Sequence, residues 1–195
     1  FILISNKNCI TYKEVFPLLR DNKVWMGCTI HSGDREFGVP DEYPLEAAGC
    51  RIDENGKKYI RVKGVRWYTN IDHGSRHDPL SLMSMADNIK YSKHKDIQGK
   101  KYQHYDNYDA IEIPYTDAIP CDYENLMGVP VTFLDKYCPE QFDIIWQACG
   151  NTRASAPKEI LDEVGYTIHP EDRGGCGVVN NKRQYARILI RKKHL

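Results

Sequence analysis

The first 27 residues alternate apolar runs with polar turns, and this pattern predicts a strand, a short helix and a second strand. Residues 1–4 form an unbroken apolar run, which is typical of a strand buried on both faces. Thr11 and Glu14 have the spacing of a capping box, so we expect a helix to begin there. Residues 24–26 predict the next strand. Such a unit belongs to an α/β sheet, where ligands tend to bind beyond the carboxyl ends of the strands.

Strict alternation of side chains predicts the clearest strand of the chain at residues 64–72, GVRWYTNID. An Asn-Gly pair at 55–56 predicts a hairpin just before it, between residues 50–52 and 58–62. In the alternating strand, the two faces are expected to carry Val65, Trp67, Thr69 and Ile71 on one side, and Arg66, Tyr68 and Asn70 on the other.

The rest of the chain predicts short elements separated by loops. Residues 30–48 are broken by glycines and prolines and indicate a long surface loop. Short strands are predicted at 110–114, 131–134 and 142–146, with short helices at 80–85 and 157–164. A final hairpin is predicted from residues 177–179 and 183–191 around an Asn180-Asn181 turn. In its second strand, alternation places Arg187 and Arg191 on the polar face.

The composition indicates the structural class of the chain and its cellular compartment. With 195 residues, 41% of them hydrophobic and 28% charged, the chain is expected to be globular, mixed and strand-rich α/β. It contains no apolar run of transmembrane length and no signal peptide pattern. The seven cysteines are odd in number and form no Cys-x-x-Cys pair. This spacing favours reduced thiols in a cytoplasmic protein over a disulfide framework or a zinc ribbon.

The net charge of zero conceals an uneven distribution. From Arg173 to the end there are seven basic residues and no acid, so the remaining residues hold 20 basic against 27 acidic side chains. A basic segment of this kind is either a solvated edge or a surface that contacts phosphates. Its members, with Arg66 and Arg153 from elsewhere in the chain, give these candidate DNA contacts: Arg66, Arg153, Arg173, Lys182, Arg183, Arg187 and Arg191.

Two further groups of residues suggest chemistry. Trp67 and Tyr68 are either core and surface packing or a platform on which an extruded base stacks, with Asn70 beside them to position the base. His73 and His77 have the spacing of two metal ligands on a helix face. Because Gly74 and the following Pro79 disfavour a helix and no cysteine lies nearby, we do not expect a metal site.

Several segments taken together resemble the C-terminal half of EcoRI-type adenine-specific DNA methyltransferases, and the resemblance runs from the first residue to the last strand. The segments, in chain order, are ISNKNCITYKEVFPLLRDNKVWMG, GVRWYTNID, YDNYDAIEI, DYENLMGVPVTFLDKYCPEQFDII and YARILIR. The fourth is long enough to be specific.

The resemblance implies a methyl transfer from S-adenosylmethionine to the N6 of a flipped adenine in double-stranded DNA, without a metal. It implies that residues 1–77 end a catalytic sheet and that 78–195 form an irregular α+β target-recognition region packed on it. The stacking role is carried over to Trp67 or Tyr68, with the choice left open. The glycine-rich cofactor loop and the Asn/Asp-Pro-Pro-aromatic motif of the family are absent from this sequence.

These absences lead to two expectations. In the first, the chain is a fragment whose catalytic N-terminal half is missing, so that it is inactive alone and has no cofactor-binding residues of its own. The apolar segment 1–5 would then be a cut edge, open to self-association. In the second, the chain is a non-catalytic DNA-binding or specificity module that grips phosphates with its basic hairpin.

Overall fold

The computed structural model describes residues 1–30, 33–46 and 49–193. Its helices are short, namely α1 (Phe16–Arg20), α2 (Met85–Tyr91) and α3 (Lys158–Glu163). Its strands are β1 (Ile2–Asn6), β2 (Trp25–Met26), β3 (Arg35–Gly38), β4 (Arg51–Ile52), β5 (Lys58–Val62), β6 (Val65–Thr69), β7 (Ala110–Glu112), β8 (Leu126–Pro130), β9 (Phe142–Ala148), β10 (Val178–Val179), β11 (Lys182–Arg183) and β12 (Arg187–Lys192).

The first sheet has the order β1-β6-β2, and both of its outer strands are antiparallel to β6. The strand, helix and strand predicted for the first 27 residues are present, and so is the alternating strand β6. The predicted capping box is wrong. Thr11 is the last residue of a 3-10 helix and donates its hydroxyl to the carbonyl of Asn8, while α1 begins later, at Phe16.

Strand β1 is an edge strand, and its apolar side chains are largely exposed. Phe1, Ile2 and Leu3 are 58%, 61% and 52% exposed. The prediction that this strand is buried on both faces is therefore wrong for the chain as described. Only one edge of β1 pairs with a described strand, β6, so a row of apolar side chains and backbone groups is left open.

A second sheet, β3-β5-β4, contains the predicted Asn-Gly hairpin. Strands β4 and β5 pair around the turn at 53–56, as expected. Strand β3 lies inside the segment predicted as an irregular loop and pairs with β5. Residues 31–32 and 47–48 of that predicted loop lie outside the described residues.

The third sheet holds the centre of the molecule and has the order β7-β8-β12-β9. Strand β12 pairs with β8 on one side and with β9 on the other. Ile188, Leu189 and Ile190 are fully buried, because a central strand is covered on both faces. The predicted polar face of this strand is therefore wrong. So is the strand predicted at 131–134, which is a 3-10 helix following β8.

The predicted terminal hairpin is shorter than expected. Strands β10 and β11 pair around Asn180 and Asn181, which both have positive φ, but the chain then leaves to join the third sheet as β12. The helix predicted at 157–164 is present as α3. The one predicted at 80–85 is displaced and begins only at Met85, where Ser84 caps it.

One apolar cluster joins the first and third sheets, and Phe16 packs edge-on against Trp146 within it. This agrees with the mixed, strand-rich α/β class, while the boundary between residues 77 and 78 stays a prediction. In the described part of the chain, no helix has the length and apolar character needed to cross a bilayer.

Candidate functional site

The two adjacent aromatics of β6 lie on opposite faces of the first sheet. Tyr68 is 1% exposed and belongs to the apolar core. Its hydroxyl donates to the carbonyls of Asn6 and Lys7 at 3.2 and 3.4 Å. Burial raises the pKa of the Tyr68 phenol well above its ordinary value. The Tyr68 ring is thus enclosed by the protein, and no described cavity lies against it.

Trp67 lies on the open face and contributes to the wall of a cavity of about 300 Å³. Gly27 fits against it so closely that a Cβ at this glycine would approach the Trp67 Cβ to 3.0 Å. The indole N–H has no acceptor among the described residues, so packing alone holds the ring. The cavity is mainly apolar and is also lined by Ile2, Cys28, Thr29, Thr69, Ile71, Asp72 and His73.

Asn70 does not join this cavity. It follows the end of β6, and its Oδ1 accepts a hydrogen bond from the amino group of Phe1 at 2.6 Å. The structure therefore brings Trp67 together with residues of β1 and of the segment after β2, but it does not place Asn70 with them. Nothing in the sequence indicates that Gly27 and His73 line one cavity, because they come from separate segments.

Two of the seven predicted DNA contacts are buried in ion pairs. Arg66 meets Asp135 through two hydrogen bonds of 3.1 and 3.3 Å, and only 7% of its side chain is exposed. Arg187 meets Glu112 at 2.6 Å, with 12% of its side chain exposed, and Tyr105 donates to the same carboxylate. Each of these two guanidinium groups is thus engaged by a carboxylate inside the protein, and the DNA contact predicted for it stays a prediction.

Two more arginines are paired with acids but stay partly exposed themselves. Arg191 approaches Glu163 at 3.1 Å, and both side chains are about two-fifths exposed. Arg153 donates to the hydroxyl of Tyr166 at 3.1 Å and lies 3.9 Å from Asp172. The Arg191 pair is exposed and therefore weak in water, whereas the Asp172 side chain is only 5% exposed. Both guanidinium groups are partly exposed and can still meet an anion.

The remaining three predicted contacts are exposed, and no described carboxylate forms an ion pair with them: Arg173, Lys182 and Arg183. Burial raises the pKa of the Cys176 thiol, and both Arg183 and Arg173 lie near enough to offset part of this rise. Arg153 adjoins them, because its backbone N–H donates to Gly174 at 2.9 Å. We define the basic patch as Arg153, Arg173, Lys182 and Arg183.

The two histidines have separate hydrogen-bond partners. His77 is bound through its two ring nitrogens, each 2.9 Å from a carboxylate, to Asp72 and Glu140. His73 instead approaches the Met26 carbonyl at 3.0 Å. The described residues contain no group of three ligands able to hold a metal ion. All seven cysteines are free thiols in the structure.

Comparison with known proteins gives the family. The model of the family described as adenine-specific methyltransferase EcoRI matches residues 1–193. The chain belongs to this family. The EcoRI family match confirms the resemblance found in the sequence.

Three relatives carry the name Type II methyltransferase. M.EcoRI of Escherichia coli is 40% identical over 195 residues, covering the whole chain and 51% of the relative. M.MgeORF184P of Mycoplasma genitalium is 30% identical over 198 residues and M.MpnI of Mycoplasma pneumoniae 26% over 196, covering 57% and 56% of those relatives. This member of the EcoRI family thus spans about half the length of the curated relatives it matches. No solved structure matches it.

Proposed function

We propose that this chain is the DNA-recognition and base-binding part of a cytoplasmic, site-specific methyltransferase that transfers a methyl group from S-adenosylmethionine to adenine N6 in double-stranded DNA. The observation that carries the proposal is the family match over residues 1–193, whose description is adenine-specific. The relatives' shared name, Type II methyltransferase, supports the same reaction class.

Trp67 is the residue that we assign to stacking on the flipped base. Its ring borders an open cavity with mainly apolar walls, whereas the neighbouring Tyr68 is enclosed. A base taken out of the duplex loses its stacking partners, and an aromatic face replaces them at roughly 1–3 kcal/mol per base. The amine acceptors that hold the adenine N6 belong, in this proposal, to the other half of the protein.

The basic patch is the surface that we assign to binding DNA phosphates. Its four cations lie around the loop that precedes β10 and around the β10–β11 hairpin. Arg173, Lys182 and Arg183 gain the most from phosphate contacts, since for these three no internal ion pair has to be broken. Phosphate contacts position the protein on the duplex without selecting a sequence.

The glycine-rich segment before β10 does not fit S-adenosylmethionine. A Cβ on Gly175 would meet the Thr152 hydroxyl at 2.5 Å, and one on Gly177 would meet the Tyr105 ring at 2.4 Å. The space beside these glycines is therefore filled by protein. In this proposal the cofactor, like the adenine amine, binds to the part of the protein outside this chain.

Strand β1 is where we expect the other half of the protein to dock. Its free edge and exposed apolar side chains offer backbone pairing and apolar surface together. The relatives contain about as much chain again as the part matched here. In the absence of that half, the same edge is open to a second copy of the chain.

Methyl transfer tests the proposal directly. The full-length protein containing this chain is expected to incorporate methyl groups into duplex DNA at adenine, while the 195-residue chain alone transfers none. Trp67→Ala should lower the rate roughly tenfold or more, in line with the loss of a stacked base. Trp67→Phe keeps a ring and should retain most of the rate.

The control is Tyr68→Phe, which removes a buried hydroxyl and leaves the cavity of Trp67 unchanged. It should cost about 1 kcal/mol of stability and leave the methylation rate close to that of the parent. Binding of DNA by the full-length protein without any methyl transfer would instead favour the non-catalytic specificity module. An unchanged rate in Trp67→Ala would remove Trp67 from the site.

A further inference from the structure

We propose that Gln103 and Asn180 form a paired-amide reader that selects an adenine by hydrogen bonds to its major-groove edge. The inference rests on the proposed DNA binding and goes further by naming side chains that read sequence. Asparagine and glutamine amides are matched to adenine, because one amide accepts from N6–H while donating to N7. Neither residue pairs with a charged group that would occupy it.

The two amides meet across 77 positions of sequence. Asn180 donates its Nδ2 to Gln103 Oε1 at 3.1 Å, and Gln103 donates its Nε2 to the carbonyl of Lys101 at 3.0 Å. Each amide nitrogen has two hydrogens and each oxygen two lone pairs, so each side chain keeps one free N–H and at least one free acceptor site. The hydrogen bond between them fixes the direction in which these free groups point.

The backbone that carries the amides is held firmly. Asp106 accepts from the backbone N–H of Asn181 at 2.8 Å, and its own N–H donates to the Val178 carbonyl at 2.7 Å. The fully buried Asn107 donates to the Cys176 carbonyl and accepts from Val178 N–H, both at 2.9 Å. These bonds join the segment of Gln103 to the β10–β11 hairpin. A reader fixed before binding loses less entropy when it meets DNA.

Cations surround the amide pair and would place it against a duplex. Lys182 and Arg183, both members of the basic patch, follow the hairpin turn directly, and Lys101 lies two residues before Gln103. All three are exposed, and no described carboxylate forms an ion pair with them. Phosphate contacts by these cations would set the register in which the amides approach base edges.

The turn offers a matched pair of variants. Asn180 and Asn181 have φ values of 50° and 60°, in the left-handed region that glycine adopts without cost. Asn180→Gly therefore removes one amide of the pair and keeps the turn. Asn181→Gly is its control, because this residue contributes its backbone N–H, and not its side chain, to the bond with Asp106.

The experiment uses the full-length protein that contains this chain. A preferred duplex is selected from a random library, and binding is then measured to variants in which each A·T pair is replaced by G·C in turn. Asn180→Gly and Gln103→Ala should both lose roughly 5- to 150-fold of discrimination, at the same A·T position. Gln103→Glu, which cannot donate, should shift the preference at that position towards cytosine, whose N4 donates.

Two controls separate sequence discrimination from overall affinity for DNA. Asn181→Gly should retain the parent's discrimination at every position. Lys182→Ala should weaken binding to all sequences by the same factor and leave discrimination unchanged. If Asn180→Gly and Gln103→Ala bind DNA and discriminate as the parent does, the paired-amide reader is wrong while the proposed function stands. If the parent itself binds no duplex, the proposed function fails together with it.

Discussion

At the scale of single residues, the role of each arginine depends on whether a carboxylate lies within reach in the folded chain. Arg187 and Arg183 are four positions apart, and sequence alone gave them the same DNA-binding role. Arg187 is buried against Glu112, which lies 75 positions earlier, whereas Arg183 is exposed on a hairpin. A charge count along the chain cannot distinguish them, because the deciding acid is distant in sequence.

This difference predicts opposite results for two alanine substitutions. Arg187→Ala leaves Glu112 buried without its cation and should cost roughly 3–5 kcal/mol of unfolding free energy. Arg183→Ala changes a solvated side chain, should alter stability by no more than about 0.5 kcal/mol, and should weaken DNA binding. Urea unfolding and a binding titration on the full-length variants measure both quantities. Equal stability of the two variants would contradict the buried ion pair.

At the scale of elements, the sequence predicts the strands and turns that a local pattern determines. It fails for strands whose position depends on pairing with distant parts of the chain. Alternation located β6, and the Asn-Gly turn located the β4–β5 hairpin, since both signals are complete within a few residues. Strand β12 was predicted as a half-polar strand of a terminal hairpin. It lies instead between β8 and β9, whose residues are about 40 to 60 positions away, and no local pattern reports that pairing.

The candidate site shows the same division. Trp67 and Tyr68 were proposed for base stacking because an aromatic pair in an alternating strand is visible in the sequence. The choice between the two needed the fold, because it depends on which face of β6 is covered. The amide pair of Gln103 and Asn180 had no sequence signal at all, since each residue alone is an ordinary polar loop position.

One contact between elements predicts a dependence of stability on pH. His77 joins the segment after β6 to the loop before β9, and its hydrogen bonds to the carboxylates of Asp72 and then Glu140 raise its pKa above the ordinary 6.5. A raised pKa means that the folded state holds the proton more tightly than the unfolded state does. The stabilisation is therefore complete below about pH 6.5 and is lost as the pH rises through the higher folded-state pKa.

His77→Gln is the variant that tests this contact, because glutamine keeps a polar side chain but does not titrate. The urea midpoint of the parent should fall between about pH 6 and about pH 8 by more than that of His77→Gln. His104→Gln, at another exposed histidine, should behave like the parent. Identical pH profiles for parent and His77→Gln would show that the bridge contributes nothing.

At the scale of the whole molecule, neutral net charge and an ordinary composition hide two surfaces of different character. One is the basic patch, of which Arg173, Lys182 and Arg183 form no ion pair with a described carboxylate. The other is the open edge of β1, where four successive apolar side chains are between 37% and 61% exposed. An edge strand this apolar and unprotected is rare in a monomer, because it offers ready pairing to any other strand.

The last prediction therefore concerns assembly. The 195-residue chain by itself is expected to self-associate through β1, with two edges pairing and the side chains of Ile2 and Leu3 covered. Leu3→Lys adds a charge to that edge and should shift the sedimentation profile towards monomer at the same concentration. Leu18→Lys, at a partly exposed apolar residue of α1, is the control and should leave the profile unchanged.

The same substitution also tests where the other half of the protein docks. If β1 receives a strand from that half, its edge is covered in the full-length protein. The unsubstituted full-length protein should then sediment as a monomer. Leu3→Lys in the full-length protein should then lower stability and methyl transfer together, because the two halves share that strand pair. Two results together would contradict the role of β1: the 195-residue chain still self-associates with Leu3→Lys, and the full-length Leu3→Lys variant keeps full activity. Both the self-association contact and the contact between the halves would then lie elsewhere.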